Sequence, residues 1–252
     1  MTFEHLELTR PSEQVLQITL NRPRQLNALA ETTFVELDRA IREFEQSADH
    51  VLILTGAGRA FCFGADFMEF QDRGRLPDLL GKFQSLIRSL YGCPKVTIAS
   101  LNGFATGAGM DLALACDLRI ASERAKLSEA YISMGLVPDG GGSYFLPRMI
   151  GASRALRLLM TGESLDAAEA KTLGLVHEVC PADQLAAKTL ELALSLASRP
   201  QTALRLIKEL VRQNSQSDLE TALNNERNAQ LNCFEDPTHQ DLVREFLAKR
   251  LK

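Results

Sequence analysis

The sequence lacks the spacings and the apolar runs that mark several large classes of protein. Its five cysteines include no Cys-x-x-Cys pair and their number is odd, so neither a zinc site nor a disulfide framework is indicated. No stretch approaches the roughly 18 uninterrupted apolar residues of a membrane-spanning helix. The first residues carry acids and do not resemble a secretory or transit sequence. These features favour a reduced, cytoplasmic protein without a membrane partner.

Positive charge is not in excess either. The 28 Lys and Arg residues stand against 32 Asp and Glu residues, which gives a formal net charge of −4 at pH 7. A generally basic surface for nucleic acid is therefore not expected, and no nucleic-acid partner is predicted. Hydrophobic residues make up 45% and charged residues 24% of the 252 positions, as in an ordinary globular chain.

Common catalytic signatures are missing as well. The Gly56-Ala57-Gly58 turn has Phe61 where the dinucleotide pattern needs its third glycine. The sequence has no Gly-x-Ser-x-Gly nucleophile turn, and its 4 histidines form no His-Glu-x-x-His zinc motif. These absences argue against a nicotinamide dehydrogenase, a serine hydrolase and a metalloenzyme, so no metal site is predicted.

Strand and helix patterns alternate over the first 180 or so residues. Apolar–polar alternation and short apolar runs predict strands, and apolar residues at helical spacing predict helices. The predicted strands are 15–20, 51–54, 95–100, 118–122 and 175–179, and the predicted helices are 31–46, 77–91 and 112–116. Four further helical patterns follow in series, over 183–198, 201–213, 218–232 and 239–251. The pattern therefore predicts an α/β body followed by a helical tail.

Three segments combine strand ends, glycines and carboxylates: 54–66, 100–117 and 134–147. Small residues between a strand and a helix leave backbone N–H groups free to point at a ligand oxygen. Two such turns together can hold one carbonyl oxygen while it gains negative charge. Because strand-to-helix turns are often glycine-rich for purely structural reasons, this pattern alone leaves both interpretations open.

Longer motifs run through and beyond these segments: NRPRQLNAL at 21–29, GAGRAFCFGADF at 56–67, NGFATGAGMDLALACDLRIAS at 102–122, GLVPDGGGSYFLPRMIG at 135–151 and TGESLDAAEAKTLGLVHEV at 161–179. In this order they resemble the enoyl-CoA hydratase/isomerase (crotonase) superfamily. The resemblance implies an α/β, crotonase-like spiral of ββα units over 1–196, which binds an acyl-CoA thioester, and a C-terminal helical oligomerisation region over 197–252. It also implies a homo-oligomer, either a trimer or a dimer of trimers. Coenzyme A is expected only as part of the substrate, with no permanently bound cofactor.

The resemblance also assigns roles to individual residues. Ala65 and Ala108 fall where the family donates two backbone N–H groups to the thioester oxygen as it becomes an enolate, and most relatives have glycine in place of Ala108. The positions expected to bind CoA are Arg24, Ala28, Cys62, Gly64, Ala65, Asp66 and Phe67, and those expected in the acyl pocket are Phe70, Tyr131 and Met134. Asp66 is interpreted as an N-cap of the next helix rather than as a base. Residues 67–76 resemble a mobile flap over the acyl chain, and Lys208 is a further candidate contact for the CoA phosphates.

The acid and base residues decide which reaction the resemblance implies. Family hydratases use two glutamates, and this sequence has Asp111 at the first position and Tyr131 at the second. A phenol, with an ordinary pKa of about 10, is a poor base for activating water at neutral pH. Asp139 stands where several double-bond isomerases of the family carry their catalytic carboxylate. We therefore expect an enoyl-CoA isomerase with Asp139 as the proton shuttle and Asp111 as a second carboxylate.

Two alternatives stay open on the sequence. The first is an enoyl-CoA hydratase that adds water to a 2-trans-enoyl-CoA in fatty-acid β-oxidation or aromatic-acid catabolism. The second is a non-catalytic acyl-CoA-binding or assembly protein, although pure binding does not require two acids in the acyl slot. Taken singly, Asp139 fits a turn and Asp111 fits charge compensation at a helix start. Neither structural role explains why both acids lie beside the proposed oxyanion turns.

Overall fold

Two β-sheets form the body of the protein in a computed structural model, which describes residues 3–250. The strands are β1 (Leu6–Ser12), β2 (Val15–Leu20), β3 (Val51–Gly56), β4 (Ala60–Cys62), β5 (Val96–Leu101), β6 (Phe104–Thr106), β7 (Leu118–Ser122), β8 (Lys126–Ser128), β9 (Leu165–Asp166) and β10 (Glu178–Cys180). The helices are α1 (Glu31–Gln46), α2 (Leu76–Gly92), α3 (Ala108–Ala115), α4 (Gly142–Ile150), α5 (Ala152–Thr161), α6 (Ala167–Thr172), α7 (Leu185–Ala197), α8 (Gln201–Asn214), α9 (Leu219–Glu235) and α10 (Pro237–Arg250). Short 3₁₀ turns lie at Pro23–Gln25, Glu69–Gln71 and Ala130–Met134.

The chain alternates between the two sheets. The larger sheet has the order β1-β2-β3-β5-β7-β10 and the smaller one the order β4-β6-β8-β9. Neighbouring strands are parallel except at the β1–β2 and β8–β9 pairs. Three times, two consecutive strands precede the next α-helix: β3 and β4, β5 and β6, and β7 and β8. The first strand of each two lies in the larger sheet and the second in the smaller sheet. This repetition confirms the predicted spiral of ββα units.

The helix α3 lies at the centre of the body. All eight of its residues are buried, as its uniformly apolar sequence predicts. Helix α1 instead buries one face, with Phe34, Leu37 and Phe44 in the core and its charged residues outside. The one acid in α3, Asp111, is therefore carried into the interior by a helix that is otherwise apolar.

The structure also differs from the predicted elements in several places. Strand β1, helix α6 and the two- and three-residue strands of the smaller sheet are not predicted; strands of two or three residues show no clear periodicity. The helix predicted at 112–116 covers 108–115. The strand predicted at 175–179 covers only 178–180, since the N–H groups of Leu175 and Val176 both bond to the Ala170 carbonyl at the end of α6.

The four predicted tail helices are present as α7 to α10, within three residues of their predicted ends; residue 251 of the last prediction lies outside the described part of the chain. Helix α7 packs against the larger sheet, where Ala193 and Ala197 join a cluster with Val15 and Val51. Helices α9 and α10 leave large apolar side chains exposed: Leu219, Leu223, Leu231, Phe234, Leu242, Val243, Phe246 and Leu247. Within residues 3–250, no helix is long and apolar enough to cross a membrane.

Candidate active site

Two glycine-containing turns lie side by side at the ends of β4 and β6. The two strands are parallel neighbours, with Cys62 opposite Ala105. A Cβ on Gly109 would lie 2.1 Å from the Cys62 carbonyl oxygen, and a Cβ on Gly64 would lie 3.1 Å from the Thr106 carbonyl oxygen. Glycine at both positions therefore allows the start of α3 to approach the turn after β4.

Each turn presents one backbone N–H without a partner in the described part of the chain. Ala65 forms an isolated parallel bridge with Leu29, in which Leu29 donates to the Gly64 carbonyl at 2.8 Å and accepts from the Asp66 N–H at 2.9 Å. This pattern directs the N–H of Ala65 itself away from Leu29. Ala108 is the first residue of α3, where an N–H has no acceptor within the helix. Two adjacent amides of this kind are suited to holding an oxyanion.

A tyrosine joins the two candidate acids. Asp111 lies in the first turn of α3, Asp139 precedes α4, and Tyr131 belongs to the 3₁₀ turn after β8. The Tyr131 hydroxyl oxygen lies 2.5 Å from Asp111 Oδ2 and 2.9 Å from Asp139 Oδ1. Because one hydroxyl has one proton, both contacts are hydrogen bonds at the same time only when one carboxyl is itself protonated. The structure therefore brings Asp111 and Asp139 into one proton-sharing cluster, with Tyr131 between them rather than only along an acyl pocket.

Burial tunes these acids toward neutral pH. The pKa of Asp111 is raised to about 7, chiefly because the carboxyl is buried. The hydrogen bond from Tyr131 lowers this pKa, and the charge of Asp139 raises it further. Burial also raises the pKa of Asp139, again against the Tyr131 hydroxyl. The pKa of the Tyr131 phenol is raised by burial and then by both acids, so the phenol remains protonated at neutral pH. A carboxyl that titrates near neutrality, as Asp111 does, is suited to general acid–base work.

The three consecutive glycines at 140–142 explain how α4 packs against these acids. A Cβ on Gly140 would lie 2.8 Å from the Asp111 Cβ and 2.5 Å from the Phe83 ring. A Cβ on Gly142 would lie 2.9 Å from Asp111 Oδ1. Any larger residue at either position would push α4 away from α3, so these glycines place Asp139 near Asp111.

Glu129 is a buried acid that the sequence interpretation missed. It is 1% exposed and lies directly before the 3₁₀ turn that carries Tyr131. Neither of its carboxyl oxygens has a hydrogen-bond partner within residues 3–250, and the same is true of Asp111 Oδ1. Burial raises the pKa of Glu129 well above its ordinary value, and the charges of Asp111 and Asp139 raise it further. The only sequence signal was an acid two positions before Tyr131.

The acids do not form a recognisable metal centre. Over the described residues, no three His, Cys, Asp or Glu side chains are grouped so that they could hold a metal ion.

The first group of candidate CoA-binding residues lies around Asp66. Arg24 is exposed in the 3₁₀ turn at Pro23–Gln25, and Ala28 is half-buried beside it. Arg22, which the sequence interpretation passed over, donates to Asp66 Oδ2 at 2.9 Å and to the Ala28 carbonyl at 2.6 Å. The interpretation of Asp66 as an N-cap of the next helix is wrong, since its side chain instead accepts from Arg22 and the nearby Met68 N–H while α2 begins only at residue 76. The ion pair links two of the motifs that resemble the family.

The remaining candidates differ in their exposure to solvent. Burial raises the pKa of the Cys62 thiol to about 12, so this cysteine is a small unreactive wall residue. Phe67 and Met134 are exposed. Phe70 packs edge-on against Phe34 of the core, with ring centroids 6.5 Å apart.

The segment expected to form the flap is tied to the start of α1. Within 67–76, Glu69 accepts from the Glu31 N–H at 2.6 Å and Arg75 pairs with the Glu31 carboxylate.

Lys208 makes its contacts within the chain. Its ammonium lies 2.7 Å from Asp117 Oδ2 and donates to the Lys95 carbonyl. Its ammonium is thus engaged inside the chain, which argues against Lys208 as a phosphate contact.

Comparison with known proteins gives the same family as the motifs. The family model described as enoyl-CoA hydratase/isomerase matches residues 10–251. The chain is 35% identical over 243 residues to a short-chain-enoyl-CoA hydratase of Clostridium acetobutylicum, covering 94% of this chain and 92% of that protein. It is 36% identical over 250 residues to a 1,2-epoxyphenylacetyl-CoA isomerase of Escherichia coli, covering 96% and 95%. The crystal structure of an enoyl-CoA hydratase from Bacillus anthracis superimposes with a TM-score of 0.94 at 35% identity, covering 98% of this chain and 97% of that one. The chain therefore belongs to the enoyl-CoA hydratase/isomerase family.

Proposed function

We propose that this protein moves a C=C double bond within an enoyl-CoA thioester, with Asp139 as the proton shuttle. The observation that carries the proposal is the Tyr131 hydroxyl held between the carboxyls of Asp139 and Asp111. It supplies an acid–base pair beside two unpartnered backbone amides. It also places a protonated phenol where family hydratases have a second glutamate.

The reaction needs one stabilised enolate and one base. The thioester oxygen would accept hydrogen bonds from the N–H groups of Ala65 and Ala108, each worth about 2.7–4 kcal/mol of barrier in comparable sites. Ionised Asp139 removes a proton from the α-carbon of a 3-enoyl thioester, and the C–H electron pair spreads into the enolate and the adjacent double bond. The same proton returns to the γ-carbon, which leaves the double bond between the α- and β-carbons. No water is consumed.

Tyr131 and Asp111 support this transfer by accommodating the change of charge on Asp139. When Asp139 is ionised, the Tyr131 hydroxyl donates to it, and when Asp139 takes up the substrate proton the hydroxyl can donate to Asp111 instead. Because the pKa of Asp111 is raised to about 7, it can hold or release a proton at little cost near neutral pH. The charge that leaves Asp139 passes to the enolate, and the Tyr131 hydroxyl stays hydrogen-bonded in both states by changing its acceptor.

Hydration of a 2-enoyl-CoA is the second candidate. Two observations favour it: the relative from Clostridium acetobutylicum is named a short-chain-enoyl-CoA hydratase, and Asp111 occupies the first of the two hydratase acid positions. In that reaction Asp111 would activate a water molecule. The protonated state of Tyr131 argues against a second base opposite it.

Substrate binding and assembly complete the proposal. CoA would lie along Arg24, Ala28 and the 62–67 segment, and the acyl chain would lie near Phe70 and Met134. The exposed apolar residues of α9 and α10 support a homotrimer or a dimer of trimers, formed by a C-terminal region over 197–252 beside a catalytic core over 1–196. Cysteines that are all free thiols suit a reducing compartment such as the cytoplasm.

The test measures both reactions on the same proteins. A 3-enoyl-CoA and a 2-enoyl-CoA are offered to wild type, Asp139→Asn, Asp111→Asn and the exposed control Asp183→Asn, and isomerisation and water addition are followed separately. We expect Asp139→Asn to lose about 10²–10⁴-fold in isomerisation, the range of a general base, and Asp183→Asn to match wild type.

Three results would contradict the proposal. Full isomerisation of the 3-enoyl substrate by Asp139→Asn rejects the shuttle assignment. Loss of hydration in Asp111→Asn alone, with Asp139→Asn active, identifies a hydratase. Tight acyl-CoA binding by wild type, without exchange of the α-proton in deuterated water, identifies a non-catalytic binding protein.

A further inference from the structure

Three unpartnered carboxyl oxygens face one another behind the proposed shuttle. They are both oxygens of Glu129 and Oδ1 of Asp111. The position that a Cβ on Gly142 would take lies 2.8 Å from Glu129 Oε1 and 2.9 Å from Asp111 Oδ1. Those two oxygens are therefore no more than about 6 Å apart.

Among the described residues, the charged neighbours that act on Glu129 are other acids. Asp111 faces it from α3, Asp139 from the segment before α4, and the Tyr131 phenol lies on the adjoining 3₁₀ turn. Within residues 3–250, no Lys, Arg or His forms an ion pair with Glu129. An ionised carboxyl buried without a partner is strongly disfavoured, so Glu129 holds its proton while Asp111 ionises.

We propose that Glu129 is a positioning residue: it stays protonated while Asp111 carries the single negative charge of the pair, and its own ionisation sets the alkaline limit of the pH range in which the enzyme works. The inference rests on the proposed function, because the acids it acts on are those of the proposed shuttle. Glu129 does not contact the substrate in this scheme. It acts through Asp111, whose second oxygen leads to Tyr131 and Asp139.

The mutual repulsion of the two carboxyls supplies the mechanism. At the upper limit of about 6 Å and an effective dielectric constant of about 20, two like charges displace each other's pKa by about two units, and a shorter separation would displace it further. The pair therefore loses its protons in two separate steps. After the second step, two charges lie beside the Tyr131 hydroxyl, which then donates to Asp111 in preference to Asp139. Asp139, the proposed base, would lose the hydrogen bond from the Tyr131 hydroxyl that orients it, and turnover would fall.

The first test compares the pH profile of kcat/KM for isomerisation in wild type and in Glu129→Gln. Glutamine keeps the shape of the side chain but has no proton to lose. We expect the alkaline limb to disappear in Glu129→Gln, because the group whose ionisation causes it is gone, while the acid limb stays in place. Glu123→Gln, at an exposed glutamate in the turn after β7, should leave both limbs unchanged. An alkaline limb of Glu129→Gln that coincides with that of wild type overturns the proposal.

The second test needs no activity, so its failure is distinguishable from failure of the proposed function. The infrared carbonyl band of a buried protonated carboxylic acid is measured at pH 6 in the double variant Asp111→Asn, Asp139→Asn. A band retained in this variant supports a neutral Glu129, and its absence overturns the proposal. This measurement decides the point even if Glu129→Gln fails to fold, because the double variant keeps Glu129.

Discussion

Replacing Asp111 with asparagine should make the protein more stable at neutral and alkaline pH while impairing its activity. Asp111 is fully buried, and its pKa is raised from 3.8 to about 7 chiefly by burial. The folded protein therefore holds this proton at pH values where the unfolded chain has lost it. The contribution of Asp111 to stability therefore falls as pH rises through that window, because at this group the folded state binds more protons than the unfolded state. Asparagine carries no charge and avoids this loss.

The size of the gain in stability follows from the same rise in the pKa of Asp111. A pKa roughly three pH units above its ordinary value, at about 1.4 kcal/mol per unit, corresponds to about 4 kcal/mol. Below pH 3.8 both states are protonated and Asp111→Asn should show no gain from this source. Between pH 4 and pH 7 its advantage over wild type should grow steadily, and above pH 7 it should level off at about 4 kcal/mol.

Urea unfolding at fixed protein concentration, repeated at intervals from pH 4.5 to pH 8.5, measures this difference. The fixed concentration matters because self-association would add its own contribution to stability. Asp183→Asn, at an exposed carboxyl, serves as the control and should follow the wild-type curve. A difference between wild type and Asp111→Asn that does not change with pH would refute the reasoning, since it would mean that Asp111 is ionised in the folded protein at no cost.

Three further perturbations test the architecture around the site. Tyr131→Phe removes the hydroxyl between two carboxyls and should lower the free energy of unfolding by about 1–3 kcal/mol, measured in urea, while kcat for isomerisation falls. Gly109→Ala places a Cβ 2.1 Å from the Cys62 carbonyl and should cost about 1–3 kcal/mol in the same assay, whereas Gly81→Ala in the open face of α2 should be neutral or stabilising. Asp117→Ala leaves the half-buried ends of Lys208 and Arg212 without their carboxylate and should make α8 more susceptible to limited proteolysis; an unchanged cleavage rate would contradict an anchoring role.

Much of the fold could be predicted because its signals are local. Helix α1 was predicted with the same ends, 31–46, since its apolar residues recur at helical spacing and its polar residues fill the other face. The same holds for strands β2 and β7. The strands of the smaller sheet could not be predicted, because two or three residues show no period and their pairing joins segments as distant as β4 and β6.

The candidate site divides in the same way. The glycine-rich motifs contain Ala65, Ala108, Asp111 and Asp139, so the residues themselves could be named from the order of the chain. The contacts between distant parts of the chain could not be predicted. Arg22 pairs with Asp66 across more than forty positions, and Lys208 reaches Asp117 across more than ninety.

The sequence by itself determined the family, the alternation of strands and helices, and two acids beside two glycine-rich turns. Only the tertiary structure decided how those acids are arranged. It places the Tyr131 hydroxyl between Asp111 and Asp139, and it buries Glu129 behind them without a hydrogen-bond partner among residues 3–250. The physical reason is that a pKa depends on burial and on neighbouring charges, which are set by the packing of α3, α4 and the turn after β8 rather than by the order of residues along the chain.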